Sequence, residues 1–285
     1  MFFIIGVVVV FGSVLGGYLP HGNPLVLWQP LEYLIIVGAA VGAFVISNPK
    51  PVLAGTVKQI GRIFKGPPHD KDSYVELLTL LYSIFKMIRS KGLLALETHI
   101  ENPEDSELFA NYPKFLNNTS ALTFLCDYLR LLTMGTDDPH VVEDLMDEEI
   151  ETHHNEATKV ASALTTMGDG MPAFGIVAAV LGVIVTMGAI TEPPEVLGGL
   201  VGAALVGTFL GILLSYGFVG PIGKNLEQYA DADIKYYECI KATLIAHLKG
   251  CAPAVSVEFG RKTLFSHERP TFAEVEEAVE SAQPV

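Results

Sequence analysis

Charge is missing from long stretches of this chain, and the gaps set its class. Residues 2–19 (FFIIGVVVVFGSVLGGYL), 171–190 (MPAFGIVAAVLGVIVTMGAI) and 198–219 (GGLVGAALVGTFLGILLSYGFV) contain no acid, base or histidine, and 31–46 (LEYLIIVGAAVGAFVI) contains only Glu32. About 20 apolar residues in a helix cross roughly 30 Å of hydrocarbon. Four such blocks exclude an ordinary soluble globule, and the chain's mean hydropathy of +0.40 agrees. The first block has no basic residues before it, so it reads as a retained helix and not as a cleaved leader. Basic residues are scarce as well: 18 against 32 acids, for a net charge of −14. That balance excludes a nucleic-acid surface. There are three cysteines, Cys126, Cys239 and Cys251, and no CxxC spacing, which argues against disulfide or metal roles. No β-rich block and no internal repeat occur. The expected fold class is an all-α integral membrane protein with four transmembrane helices and a large cytoplasmic helical domain.

The few basic residues are placed unevenly. Eleven lie between Lys50 and Lys159 and seven between Lys224 and Arg269, while the loops at 20–30 and 191–197 have none. The positive-inside rule then puts both basic stretches, and both chain ends, in the cytoplasm. Four divisions follow: 1–49 (helices one and two with a short outer loop), 50–170 (cytoplasmic helical domain), 171–220 (helices three and four) and 221–285 (cytoplasmic helix and tail).

Within the cytoplasmic parts, apolar residues at 77, 78, 81, 84, 85 and 88 give 73–90 helical spacing. The segment ENPEDSELFANYP reads as a turn with a short helical piece. Residues 120–134 and 139–168 read as further helices, with Pro139 suited to a first turn. A charged amphipathic helix is expected over 222–249, ended by Gly250. Thr271 and Glu274 have the spacing of a capping box, with Phe272, Val275 and Val279 to one side.

The fourth apolar block repeats small residues every four positions: Gly199, Ala203, Gly207, Gly211 and Ser215. Such a stripe lets helix backbones approach closely in lipid. It serves either packing within this chain or a surface shared with another. Gly175–Ala179 and Ala178–Gly182 are shorter versions in the third block. Thr208 beside the stripe either bonds back to its own helix or lines a wet path. Pro172 is expected at a helix start, where its missing N–H costs nothing. Pro221 falls where the fourth span would continue into 222–249. It marks either a plain boundary or a hinge. An ion path normally needs intramembrane titrating groups. Here only Glu32, at the outer border, qualifies, so the chain moves no ions or the titrating group belongs to a partner.

The blocks ENPEDSELFANYP, LMDEEIETHHNEA, MPAFGIVAAVLG, VGTFLGILLSYGF and VEFGRKTLFSHERP, in this order, resemble the MotA family of flagellar stator subunits across essentially the whole chain. The resemblance implies a homo-oligomeric ring, a pentamer, around a dimer of a MotB-like, single-span, peptidoglycan-binding subunit that supplies the ion-carrying aspartate. It implies a protein of the bacterial inner membrane that turns ion flow into torque on the rotor protein FliG, and no enzyme and no cofactor. The family's rotor-facing charges fall on Arg89 and Glu97, its coupling prolines on Pro172 and Pro221, and its pore-facing threonine on Thr208. Ala179 stands where sodium-driven relatives tend to place a threonine, which favours protons. The alternatives are an ExbB/TolQ-type ring driving a periplasmic partner, a passive scaffold, and a metalloenzyme using EEIETHHNE. In the last, the adjacent His153 and His154 lack the i, i+4 spacing of a helical metal pair.

Overall fold

The computed structural model describes residues 2–64 and 66–282. Met1, Lys65 and the last three residues of the expected tail, 283–285, lie outside the described residues. Among the described residues the secondary structure is entirely helical. The chain packs as two compact units, one from 1–66 and 156–229, the other from 67–155 and 230–285.

The first unit holds the apolar helices: α1 (Phe2–Tyr18), α2 (Pro30–Ser47), part of α9 (Pro139–Gly188) and α10 (Pro194–Leu214), with α3 (Lys50–Ile63) beside them. Three helical stretches, Pro24–Ser47, Pro139–Gly188 and Pro194–Leu248, are long and apolar enough to cross a membrane, while Phe2–Tyr18 is apolar but shorter. Their outward residues are large and apolar. Ile176, Val180, Val183 and Ile184 on α9 are all about half or more exposed, as expected where lipid is the solvent. Inside, Ile36 and Ala40 of α2 pack with Met171 and Ala178 of α9 and Val206 and Leu210 of α10.

The expected helix 139–168 and the expected span at 171–190 are one continuous helix, and Pro172 sits inside it, not at its start. That overturns the reading of Pro172 as an N-terminal residue. A mid-helix proline costs about 3 kcal/mol in water. Apolar helices tolerate it because neighbouring helices hold the segment and local adjustment accommodates the freed carbonyl.

The second unit is built on α4 (Lys71–Lys91), α8 (Thr119–Thr133), the portions of α9 and of α11 (Gly220–Leu248) that fall within 67–155 and 230–285, and the final helices α12 (Pro253–Thr263) and α13 (Phe272–Ser281). α4 starts on a capping box: the Ser73 N–H donates to Asp70 Oδ1 at 2.8 Å, and the Asp70 N–H to Ser73 Oγ at 2.9 Å. It ends at Gly92, whose φ of +85° is a conformation only glycine adopts freely. Its inner face, Tyr74, Leu77, Leu78, Leu81, Ile84 and Phe85, is completely buried. At about 1.5–3 kcal/mol per large apolar side chain, this face outweighs the helix's own propensities. The segment 101–113, expected to be a turn with a short helical piece, holds a 3-10 turn at Pro103–Asp105 and the short helix α6 (Glu107–Ala110), between α5 (Glu97–Glu101) and α7 (Pro113–Leu116). The Thr271–Glu274 capping box forms as its spacing predicts, and Gly250 at φ +88° follows the end of α11. Burial raises the thiols of Cys126 and Cys239 to about 12, as for packing residues without redox exposure.

Candidate functional site

The small residues of α9 and α10 meet face to face. A methyl group placed on Gly211 would stand 2.8 Å from the Met171 carbonyl oxygen and 2.9 Å from Gly175 Cα; one on Gly175 would stand 2.9 Å from the Gly207 carbonyl oxygen. One on Gly182 would stand 2.7 Å from Ala204 Cβ. The expected stripe therefore divides. Gly207, Gly211 and Ser215 are buried within this chain, Ala203 is half-buried while its neighbour Ala204 makes the contact, and Gly199 has nothing within 4 Å.

Below this contact the two prolines lie close to one another's helix. Pro172 offers no N–H to the Gly168 carbonyl, one helical turn back. Gly168 is buried, and a methyl on it would stand 3.2 Å from both Gly220 N and Val219 Cγ1. Gly220 is the residue before Pro221. Ahead of Pro221 the chain widens into a π turn over Ser215–Val219, closed by the Gly220 N–H donating to the Ser215 carbonyl. In an α-helix the ring of Pro221 would press on the Gly217 carbonyl; a π turn gives it room. So Pro221 neither ends the helix nor simply kinks it. The turn is also held from outside: Phe11 of α1 packs against Phe218, with ring centroids 4.9 Å apart and the planes tilted by 37°.

Ala179 and Thr208 flank the glycine contact and are both half-buried. The Thr208 hydroxyl makes no hydrogen bond among the described residues. Three threonines of α9 bond back to their own helix instead. Thr165, Thr166 and Thr186 donate back to the carbonyls of Ala161, Ser162 and Gly182 at 3.0, 2.9 and 2.8 Å. Glu32 reaches further inward than its place near the start of α2 suggests. It is 9% exposed, its Oε2 has no partner among the described residues, and a methyl on Gly207 would stand 3.0 Å from that oxygen. A carboxyl so placed is costly when ionised unless a donor reaches it. Its position beside mid-α10 was missed by sequence reasoning, although its isolation in an apolar block was the available signal.

Arg89, in the last turn of α4, and Glu97, opening α5, are both exposed, and neither forms an ion pair among the described residues. Between them Gly92 breaks α4 and Leu93–Leu96 makes one 3-10 turn. Several other charges of this unit are paired: Lys71 with Glu274 at 2.7 Å, Lys114 with Asp70 at 3.1 Å, Arg130 with Asp127 at 2.8 Å and Arg261 with Glu258 at 2.6 Å. His247, stacked on Phe85 at 4.1 Å, is shifted below the usual imidazole range by burial and then by the charge of Arg89. His153 stacks on Tyr237 at 5.5 Å and lies 3.6 Å from Glu149. Among the described residues no group of three or more His, Cys, Asp or Glu side chains is placed to hold a metal.

Long apolar helices joined by a glycine contact, with exposed charges on a separate helical unit, define a multi-pass membrane protein. Comparison with known proteins narrows the class. The family model for the motility protein A N-terminal region matches residues 4–92, and that for the MotA/TolQ/ExbB proton channel family matches 117–239. Motility protein A of Escherichia coli (strain K12) is 46% identical over 284 residues, covering 99% of this chain and 96% of the relative. Chemotaxis protein LafT of Vibrio parahaemolyticus is 38% identical, covering 95% and 96%. Among solved structures, C. jejuni MotAB matches in fold with a TM-score of 0.77 at 22% identity, covering 93% of this chain and 95% of that one. The flagellar MotAB stator complex of Bacillus subtilis matches with a TM-score of 0.69 at 26% identity, covering 90% and 92%. The chain belongs to the motility protein A family, within the MotA/TolQ/ExbB proton channel family. It is a multi-pass inner-membrane subunit of the flagellar stator and not an enzyme.

Proposed function

We propose that this subunit assembles as a ring, a pentamer, around a dimer of a MotB-like single-span partner, and that the partner brings the proton-carrying carboxylate to a wall formed by Ala179 and Thr208. Four helices cross the membrane, α1 included, with both chain ends in the cytoplasm; the distribution of lysine and arginine supports that orientation. Proton passage moves the cytoplasmic helices through the segment around Pro172 and Pro221, and Arg89 and Glu97 transmit the movement to FliG. One charge crossing 100 mV supplies about 2.3 kcal/mol, so repeated steps do mechanical work without a covalent intermediate. Exposed opposite charges suit a transient contact, because they steer encounter and set register. Of the stripe, Gly207 and Gly211 hold the wall together, whereas Gly199 and Ala203 face toward what lies beyond this chain.

The free hydroxyl of Thr208 carries the reading of an ion path. It stands half-buried beside the close Gly175–Gly207 contact and is unbonded, whereas Thr165, Thr166 and Thr186 on α9 bond back to their own helix. Thr208→Val keeps the shape and removes the hydroxyl; Thr208→Ser keeps the hydroxyl. In cells lacking their own copy of the subunit, tethered-cell torque falls severalfold with valine and is retained with serine. Equal torque from the two variants, with equal membrane assembly, removes Thr208 from the path.

A further inference from the structure

One groove in the first unit is left unused by this account. It runs between the C-terminal half of α2 and the 159–174 segment of α9, with a volume of about 670 Å³. Its composition is graded. At one end lie Lys159, Ser162 and Asn48; at the other lie Ala40, Phe44 and Phe174. The polar end coincides with the end of the second apolar helix, where Ser47 is the last helical residue and Pro49–Lys50 follow. Lys159 is exposed and has no ion-pair partner among the described residues, whereas Lys71, Lys114, Lys224, Lys235, Lys241 and Lys249 each have one.

The surroundings point the same way. From residue 33 to residue 69 the sequence contains no acid, but it contains Lys50, Lys58, Arg62 and Lys65, in a chain whose net charge is −14. On α3 the apolar side chains Val57 (76% exposed) and Phe64 (62% exposed) stand outward, and Lys58 is exposed as well. A surface that mixes bare apolar groups with the exposed Lys50, Lys58 and Lys159 matches the headgroup region of an anionic leaflet. A free phosphate ion would use Lys159 and leave the apolar floor uncovered; a phospholipid uses both ends.

We propose that this groove binds an anionic phospholipid of the cytoplasmic leaflet, its phosphate on Lys159 and one acyl chain along Phe44 and Phe174. The proposal rests on the membrane orientation given above but not on torque generation. Lys159 snorkels: its stem lies along apolar surface and its ammonium meets the phosphate. The lipid would fill the cleft beside the α9 segment leading to Pro172.

The test uses the full chain co-purified with its MotB-like partner and reconstituted in nanodiscs. The lipid is one part phosphatidylglycerol to three parts phosphatidylethanolamine, or phosphatidylcholine alone. After mild detergent washing, native mass spectrometry counts the lipid that stays bound. The unaltered complex retains phosphatidylglycerol in preference to phosphatidylcholine. Lys159→Glu and the groove-filling Ala163→Phe each lower that retention tenfold or more, and Lys224→Glu, at an exposed lysine outside the groove, leaves it unchanged. If Ala163→Phe breaks the assembly on size exclusion, Lys159→Glu alone decides. Equal retention in Lys159→Glu and unaltered complexes overturns the proposal. So does efficient copy-to-copy crosslinking through Ser162→Cys, which would make the occupant another subunit. Because lipid counting needs no rotation, a failure here is distinct from a failure of the stator reading.

Discussion

Gly211 offers the sharpest quantitative check on the wall between α9 and α10. A β-carbon there meets the Met171 carbonyl oxygen at 2.8 Å, Gly175 Cα at 2.9 Å and Gly175 N at 3.2 Å. All three are backbone atoms, so no side chain can rotate away. The helices must separate by several tenths of an ångström along a contact that also includes Gly207 and Gly182. Overpacking of this kind costs about 1–3 kcal/mol, and alanine's better helix propensity returns about 0.5–1 kcal/mol. Gly211→Ala should therefore destabilise the packed form by about 1–2 kcal/mol, a factor of roughly 5–30 in the folded ratio. Gly211→Val, with two more carbons against the same backbone, should reach about 3 kcal/mol or more. Gly199→Ala is the internal control, since nothing lies within 4 Å of its new methyl group. The assay is thermal loss of the monodisperse complex, followed by fluorescence-detected size exclusion across the three variants. The expected order of stability is Gly199→Ala, then Gly211→Ala, then Gly211→Val. If Gly211→Val survives heating as well as Gly199→Ala, the close backbone contact does not exist and the wall has been misplaced.

Two further outcomes are expected. Arg89→Ala combined with Glu97→Ala lowers torque but leaves membrane assembly intact, because both side chains are exposed and unpaired; loss of insertion, read by membrane fractionation, would contradict a rotor-facing role. Pro172→Ala restores an N–H to the Gly168 carbonyl and removes a helix defect worth about 3 kcal/mol. The complex should then assemble at normal levels but drive little or no swimming, and disappearance of the protein on immunoblots would make the proline purely structural.

The helices whose apolar spacing or caps are local could be read from the sequence. The buried face of α4 follows from residues 77, 78, 81, 84, 85 and 88, and the start of α13 follows from Thr271 and Glu274. What escaped was set by contacts distant in sequence. Pro172 signals a break by every local rule, yet α9 runs through it because neighbours support the segment. The π turn at Ser215–Val219 depends on Pro221 and on packing by α1, and no periodicity encodes it. Glu32 could be placed at a helix start, but its reach to Gly207 requires knowing how α2 lies on α10. The division of the small-residue stripe into an inward and an outward part is likewise a matter of which helix faces which. Ala179, Thr208, Arg89 and Glu97 were named through family resemblance. Residue chemistry alone left Thr208 and the two charges with ordinary explanations, since an exposed charge such as neighbouring Lys86 is likewise without an ion pair among the described residues.

The central claim is that the conducting carboxylate comes from a second polypeptide while this chain supplies the wall. Proton uptake into acid-loaded or potential-clamped vesicles measures it most directly, with the chain reconstituted alone and together with its single-span partner. Uptake should require both chains, should persist without sodium, and should vanish when the partner's membrane carboxylate is replaced by its amide. Brisk proton uptake by this chain alone would contradict the account.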